Sequence, residues 1–144
     1  MATERKATVT WHGDLMSGSG IIDSVTSGAF GPLEVDWANR AEDAQGKTSP
    51  EELIAAAHAA CFAMALSHGL AQAGSAAEQL ETSATVTFVP GTGITKSVLQ
   101  VTGTVPGIDE DAFRRAAEDA KENCPVSQAL RGNVDVELGA RLRY

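Results

Sequence analysis

The stretch that decides the fold runs from Thr48 to Leu66 and reads Thr-Ser-Pro-Glu-Glu-Leu-Ile-Ala-Ala-Ala-His-Ala-Ala-Cys-Phe-Ala-Met-Ala-Leu. Its first residues predict the start of a helix, with Ser49 as N-cap, Pro50 at the first helical position and Glu52 completing a capping box. The rest is apolar on nearly every side, a composition typical of a buried helix. One sheet gives too little cover for such a helix in so small a chain, so we expect burial in a dimer.

Alternating and helical patterns surround this stretch. The predicted strands are Lys6–Trp11, Gly20–Ser27, Leu33–Trp37, Leu80–Val89, Thr95–Val105 and Val134–Arg143. The predicted helices are the long one to about Ala73, a second one capped by Asp109 and ending near Asn123, and a short one over Pro125–Leu130. Asn39–Lys47 is expected to be a polar loop. The order β-β-β-α-β-β-α-β predicts an α+β fold with antiparallel sheets, in one domain spanning residues 1–144.

Composition excludes several classes of partner. The 144 residues carry a formal net charge of −8, and the sequence pI is about 4.7. Nucleic-acid binding needs Lys and Arg clustered on one face, and anionic membranes attract the same charges, so neither partner is expected. The N-terminus lacks the apolar core of a signal peptide, and the longest apolar run, Leu53–Leu66, is shorter than a spanning helix. We therefore expect a cytoplasmic protein.

The two cysteines are the residues with the most chemical potential. Cys61 lies inside the apolar helix, where a small buried core residue is one interpretation. Cys124 precedes Pro125 near the start of the short helix, and helix N-termini stabilise thiolates. Two cysteines in a cytosolic chain permit a peroxidatic and resolving pair, in which a thiolate becomes a sulfenic acid and a second thiol condenses with it to a disulfide.

Such a scheme needs a group that lowers the pKa of a thiol in apolar surroundings. Arg40, in the loop before the long helix, is the positional candidate, and Glu51 in the first turn could hold it through a bidentate pair. A solvated loop charge and a first-turn carboxylate are the alternatives. His58, three residues before Cys61, permits a Cys–His hydrolase or acyltransferase, although a histidine bonded at a dimer interface is favoured. No Cys/His cluster has zinc-ligand spacing, so no bound metal is expected.

Two long motifs resemble those of a known family. Lys47–Leu66 is similar to the peroxidatic signature, and Asn123–Leu130 to the resolving-cysteine motif, of the OsmC/Ohr family of osmotically inducible and organic hydroperoxide resistance proteins. The order of strands and helices matches over essentially the whole chain. The Trp11–Asp14 opening and Asn39-Arg40 resemble the OsmC branch.

The resemblance implies an intertwined homodimer, with sheets wrapped around central helices and two active sites near the subunit interface. It implies Cys61 as peroxidatic thiolate, Cys124 as resolving thiol, and Arg40 with Glu51 as the activating pair. It further implies reduction of organic hydroperoxides and hydrogen peroxide with no bound metal or cofactor. An external dithiol reductant protein regenerates the enzyme, and Ohr members use dihydrolipoyl groups.

Two other functions fit the same residues. The thiols could serve a redox sensor or small-molecule-binding dimer that reports oxidation without turnover, although no second domain is evident to relay a signal. They could also be inert and buried in a structural dimer. Steady-state turnover with a dithiol reductant separates the peroxidase from the sensor, and slow labelling of both thiols indicates the structural role.

Overall fold

The computed structural model describes residues 1–143. The chain forms two compact units, Met1–Pro50 and Glu51–Tyr144, and each unit is described by itself. Strands and helices occur in both, as the predicted α+β class requires. The extent of the single predicted domain stays a prediction.

The first unit is a three-stranded antiparallel sheet followed by a short helix. Its strands are β1 (Ala7–His12), β2 (Ser19–Val25) and β3 (Leu33–Val35), in the spatial order β1-β2-β3. All three strands were predicted, but α1 (Trp37–Ala41) occupies the predicted end of the third strand and the start of the predicted polar loop. The reason is local, because Asp36 Oδ1 accepts a hydrogen bond from the backbone N–H of Asn39, which caps the helix at 2.8 Å.

The second unit begins with the long apolar helix α2 (Pro50–Gln72), which starts at the proline as predicted. It ends at the predicted place for a definite reason. Gly74 has a φ of 88°, and its N–H donates to the carbonyl of Ala71, while the N–H of Ser75 donates to the carbonyl of Leu70. This pair of bonds is the Schellman arrangement, which needs a left-handed residue that glycine adopts without strain.

Only one face of α2 is buried within the chain. The buried residues recur at helical spacing and are Glu51, His58, Phe62, Leu66 and Leu70. Met64, on another face, is 72% exposed. The expected burial all round is therefore not reached by one chain, and the uncovered apolar surface fits the predicted homodimer, which stays a prediction.

By length and composition α2 also meets the criteria for a membrane-spanning helix, although its uninterrupted apolar run is shorter. Core helices of soluble proteins meet the same criteria. The expectation of no membrane partner stays a prediction.

The second sheet consists of β4 (Gln79–Val89), β5 (Gly93–Thr104) and β6 (Asp135–Leu142), in that spatial order. β4 pairs antiparallel with β5, but β5 pairs parallel with β6. The prediction of purely antiparallel sheets is therefore wrong for the second pair. Two helices, α3 (Glu110–Asn123) and α4 (Pro125–Leu130), connect β5 to β6, and such a long crossover returns the chain in the same direction.

The core of this unit lies between the sheet and the helices. Phe62 and Leu66 of α2, Leu99 of β5 and Phe113 and Ala117 of α3 are all completely buried. Gly103 lets β5 approach α3 closely, because a Cβ at that position would lie 2.6 Å from Phe113 Cζ. The alternation of β6 and the apolar stripe of α3 face this core as their sequences predict.

Candidate functional site

Cys61 lies near the middle of α2 with a free thiol. It follows the buried His58 by three residues and precedes the buried Phe62, so its side chain lies at the border of the buried face. It is partly buried and packs against the core cluster that contains Cys124. This position keeps the sulfur inside an apolar environment without sealing it completely.

Cys124 lies at the junction of α3 and α4, as predicted, and its free thiol is completely buried. The residue is the C-cap of α3 and the N-cap of α4, with an extended backbone (φ −62°, ψ 121°). Pro125 enforces this break because a residue before proline avoids the helical region. The Cys124 N–H still donates to the Ala120 carbonyl at 2.8 Å, and its own carbonyl accepts from Gln128 at 3.0 Å.

The structure packs Cys61 against the core cluster that contains Cys124, and the two thiols interact electrostatically. Val126 is the first residue after Pro125 in α4 with a backbone N–H, and this N–H lowers the pKa of the Cys61 thiol. Burial raises the pKa of the Cys61 thiol, the Val126 N–H opposes that rise, and the Cys124 contact adds to it. In this arrangement the thiol form of Cys61 is favoured, so thiolate chemistry requires a further positive group.

His58 forms a buried hydrogen-bond network that the sequence did not reveal. Its Nδ1 lies 2.7 Å from Ser97 Oγ of β5, and its Nε2 lies 2.8 Å from Ser127 Oγ of α4. The interpretation of His58 as bonded at a dimer interface is wrong, because both partners belong to the same chain. Ser127 was visible within the resolving-cysteine motif, whereas nothing local to Ser97 marks it as a partner.

These contacts also bear on the Cys–His hydrolase alternative. Both ring nitrogens of His58 are occupied by serine hydroxyls, so neither is directed at Cys61. Burial lowers the pKa of His58, which favours the neutral ring. A neutral imidazole with both nitrogens engaged is a poor base for a thiol, so the geometry disfavours a Cys–His nucleophile.

Arg40 lies in the last turn of α1, in the first unit. Its guanidinium carbon is 6.0 Å from the centre of the Trp37 ring, a distance typical of cation–π contact. The segment around it is fixed by Asp36, which caps α1 through one carboxylate oxygen and bonds Lys47 Nζ at 2.9 Å through the other. The arginine is thus carried by an ordered segment rather than by the predicted loop.

Glu51 lies in the first turn of α2, in the second unit, and is only 7% exposed. Buried carboxylates in proteins are paired or hydrogen-bonded, so this placement fits an ion-pair partner better than a solvated first-turn charge. Its pairing with Arg40 and the approach of Arg40 to Cys61 stay predictions, as do the roles of all four predicted residues.

Residues 1–143 contain no group of three or more His, Cys, Asp or Glu side chains placed to hold a metal ion. The site as described consists of two thiols, a backbone N–H and a neutral histidine network. The prediction that the reaction needs no metal or bound cofactor stays a prediction.

Comparisons with known proteins agree on one family. Residues 42–139 match the profile of a family described as OsmC-like protein. Over 140 residues the chain is 39% identical to peroxiredoxin OsmC of Escherichia coli (strain K12), covering 95% of this chain and 96% of that protein. Over 127 residues it is 28% identical to the organic hydroperoxide resistance protein OhrB of Bacillus subtilis (strain 168), covering 88% and 87%.

Solved structures give the same result for the fold. The crystal structure of OhrB of Bacillus subtilis matches with a TM-score of 0.65 at 29% identity, covering 96% of this chain and 98% of that one. An organic hydroperoxide resistance protein OsmC from Legionella pneumophila matches with a TM-score of 0.63 at 26% identity, covering 96% and 97%. The predicted resemblance in sequence and fold is therefore confirmed.

Proposed function

Because the chain belongs to the OsmC-like protein family, we propose that it is a thiol peroxidase that reduces organic hydroperoxides, and also hydrogen peroxide, through Cys61 and Cys124. Relatives named peroxiredoxin and organic hydroperoxide resistance protein support a peroxide-related function. The observation that carries the finer proposal is the packing of Cys61 against the core cluster that contains Cys124, with both cysteines free.

The proposed reaction has two steps. The Cys61 thiolate attacks one oxygen of the hydroperoxide, the O–O bond breaks, and the alkoxide leaves as an alcohol after taking a proton. Cys61 is then a sulfenic acid, and the Cys124 thiol condenses with it, forming the disulfide and releasing water. Burial of Cys124 is compatible with this step because its thiol needs to reach only Cys61.

The activating pair is Arg40 with Glu51. Burial of Cys61 raises the pKa of its thiol, so a permanently charged guanidinium beside the sulfur would favour the thiolate and polarise the peroxide. Arg40 is carried by helix α1, and Glu51 is buried in the first turn of α2. A bidentate Glu51–Arg40 pair would orient the guanidinium.

The catalytic unit is a cytoplasmic homodimer reduced by an external dithiol protein, with dihydrolipoyl groups as the model reductant. The uncovered apolar faces of α2 support a dimer, since exposed apolar patches of this kind mark interaction surfaces. A disulfide at Cys61 would be opened by thiolate exchange, which needs access only to one of its two sulfurs.

The test is mass spectrometry after one equivalent of an organic hydroperoxide. We expect wild-type protein to lose two hydrogens and to yield an intramolecular Cys61–Cys124 peptide pair. Cys124→Ser should stop at sulfenic or higher acids on Cys61. Full peroxide consumption by Cys61→Ser would overturn the proposal.

A second candidate is the redox sensor, and the observation that favours it is the packing of Cys61 against the cluster that contains a second free cysteine, since sensor thiols often lie next to a resolving cysteine. The raised pKa of Cys61 weighs against fast reaction in either role. Steady-state assays with excess dihydrolipoamide discriminate directly, since repeated turnover supports the peroxidase and one equivalent of consumption supports the sensor.

A further inference from the structure

We propose that the buried hydrogen bond between His58 and Ser127 is a positioning device that holds α4 against α2, so that the Cys124 thiol stays beside Cys61 for disulfide formation. The inference rests on the proposed function and extends it to residues outside the four predicted ones. In this positioning role, His58 and Ser127 contact neither the peroxide nor a cysteine sulfur. They act through the segment that carries Cys124.

The helix α4 needs such an anchor because it is too short to be stable alone. It has six residues, and Cys124 at its N-cap makes no side-chain capping bond. Isolated helices below about 12 residues are marginal in water, since the first turn fixes several dihedral angles for one hydrogen bond. Contacts with the rest of the unit must therefore set the position of α4.

The anchor that the structure provides is a buried ring with a hydrogen-bond partner on each nitrogen. The His58 ring is completely buried, with Ser97 Oγ at 2.7 Å on one nitrogen and Ser127 Oγ at 2.8 Å on the other. Ser97 is also completely buried, in β5, the central strand of its sheet. The ring thus connects the middle of the sheet to α4, and each of its nitrogens has a partner, as buried polar groups require.

The position of Ser127 in α4 explains how this contact reaches the thiols. It follows Cys124 by three residues, about one helical turn. A displacement of Ser127 therefore moves the start of α4, and Cys124 with it. Disulfide formation is sensitive to such a displacement because the two Cβ atoms must come within about 4.5 Å.

The step that depends on this positioning is the condensation. The Cys124 sulfur attacks the sulfur of the Cys61 sulfenic acid, the S–S bond forms, and the S–O bond breaks with release of water. Loss of the anchor should slow this step more than the preceding attack of Cys61 on peroxide, which needs no approach of Cys124. The sulfenic acid would then persist and meet a second peroxide more often.

A matched pair of serine variants tests the inference. Ser127→Ala removes the bond to α4, whereas Ser97→Ala removes a buried bond to the same ring and leaves α4 attached. In single-turnover mixing with cumene hydroperoxide, sulfenic acid and disulfide are followed by quenched mass spectrometry. We expect Ser127→Ala to slow disulfide formation by about tenfold, the loss expected for one hydrogen bond, with Cys61 oxidation within about twofold of wild type. Ser97→Ala should keep the wild-type ratio of the two rates.

Two further arms make the result decisive. Ser127→Thr keeps the hydroxyl and should form the disulfide at the wild-type rate. Equal slowing of disulfide formation by Ser97→Ala and Ser127→Ala would overturn the inference. Oxidation by diamide forms the same disulfide without peroxide. If wild type ignores hydroperoxide but Ser127→Ala alone is slow with diamide, the proposed function fails and the positioning role stands. If diamide oxidises both variants at the wild-type rate, the positioning role fails.

Discussion

Lys47 Nζ lies 2.9 Å from Asp36 Oδ2, and this ion pair joins the two ends of the segment that carries Arg40. The other oxygen of the same carboxylate accepts the N–H of Asn39 and caps α1. One side chain therefore fixes the start of α1 and also holds Lys47, at the other end of the same segment. If Arg40 acts on Cys61, this pair sets how precisely the guanidinium is presented.

Replacing Lys47 should change the pKa of Asp36, its ion-pair partner. The hydrogen bond from Lys47 lowers the pKa of Asp36, with the Asn39 N–H contributing in the same direction. A carboxyl with a lowered pKa stabilises the folded state above its unfolded pKa and loses that contribution as the pH falls. We expect Lys47→Met to raise the pKa of Asp36 in an NMR carboxyl titration. Lys6→Met, an exposed lysine of the same unit, is the control, and an unchanged Asp36 titration in Lys47→Met would contradict the role of the pair.

Arg40 should control the ionisation of Cys61. In a Cys124→Ala background, the rate of iodoacetamide alkylation against pH reports the Cys61 thiolate alone. Removing a nearby positive charge raises the pKa of a thiol, so we expect Arg40→Met to move the profile to higher pH and to slow alkylation at neutral pH by about tenfold. Arg40→Lys should keep part of the effect because it keeps the charge.

The control for this measurement is Arg115→Met on α3, which removes the same charge from an exposed position. Equal shifts in both variants would indicate a general field effect. No shift in Arg40→Met would assign the activation of Cys61 to other groups, such as the Val126 N–H, which lowers the pKa of Cys61.

Local features of the fold were predictable from the sequence. Pro50 and Gly74 mark the ends of α2 through rules that act within a few residues, and Pro125 fixes the backbone of Cys124 in the same way. The segment after Val35 was misjudged because the alternation of Leu33, Val35 and Trp37 suggests a strand equally well. The N-cap geometry of Asp36 decides between the two, and it depends on a hydrogen bond that a pattern does not display.

Non-local features were not predictable in the same way. The alternation of β6 identifies its buried face but carries no information on its direction, so its parallel pairing with β5 came only from the structure. Ser97 lies 39 residues from His58, and no spacing rule joins them. The meeting of Cys61 with Cys124 was expected from a family resemblance, because chain separation alone does not imply contact.

The close approach of β5 to α3 predicts the effect of adding a single methyl group. In Gly103→Ala the new Cβ would lie 2.6 Å from Phe113 Cζ and 2.7 Å from Cε1, in a fully packed core. Overpacking of this kind costs about 1–3 kcal/mol, so we expect the free energy of unfolding in urea to fall by that amount. Gly139→Ala on β6 is the matched control, because the nearest neighbouring atom, Gln100 Cγ, would lie at 3.9 Å.

A double variant separates the contact from other effects of alanine. Gly103→Ala with Phe113→Leu should recover part of the stability lost in Gly103→Ala, since the smaller side chain relieves the contact. Additive losses in the double variant would show that the methyl group acts elsewhere.

The buried histidine predicts how stability depends on pH. Burial lowers the pKa of His58 in the folded state, so the unfolded chain binds a proton more readily. The neutral ring contributes fully to the free energy of unfolding above the pKa of an unfolded histidine, about 6.5. That contribution is lost as the pH falls from this value toward the lower pKa of the folded state. We expect urea unfolding to give a larger loss of stability between pH 8 and pH 5.5 for wild type than for His58→Gln, which has no titrating ring. His68→Gln, an exposed position on the same helix, should retain the wild-type loss. Suppose that His58→Gln loses as much stability on acidification as wild type does. Burial would then not hold the ring neutral, and the hydrogen bonds of the two serine hydroxyls would not depend on its protonation state.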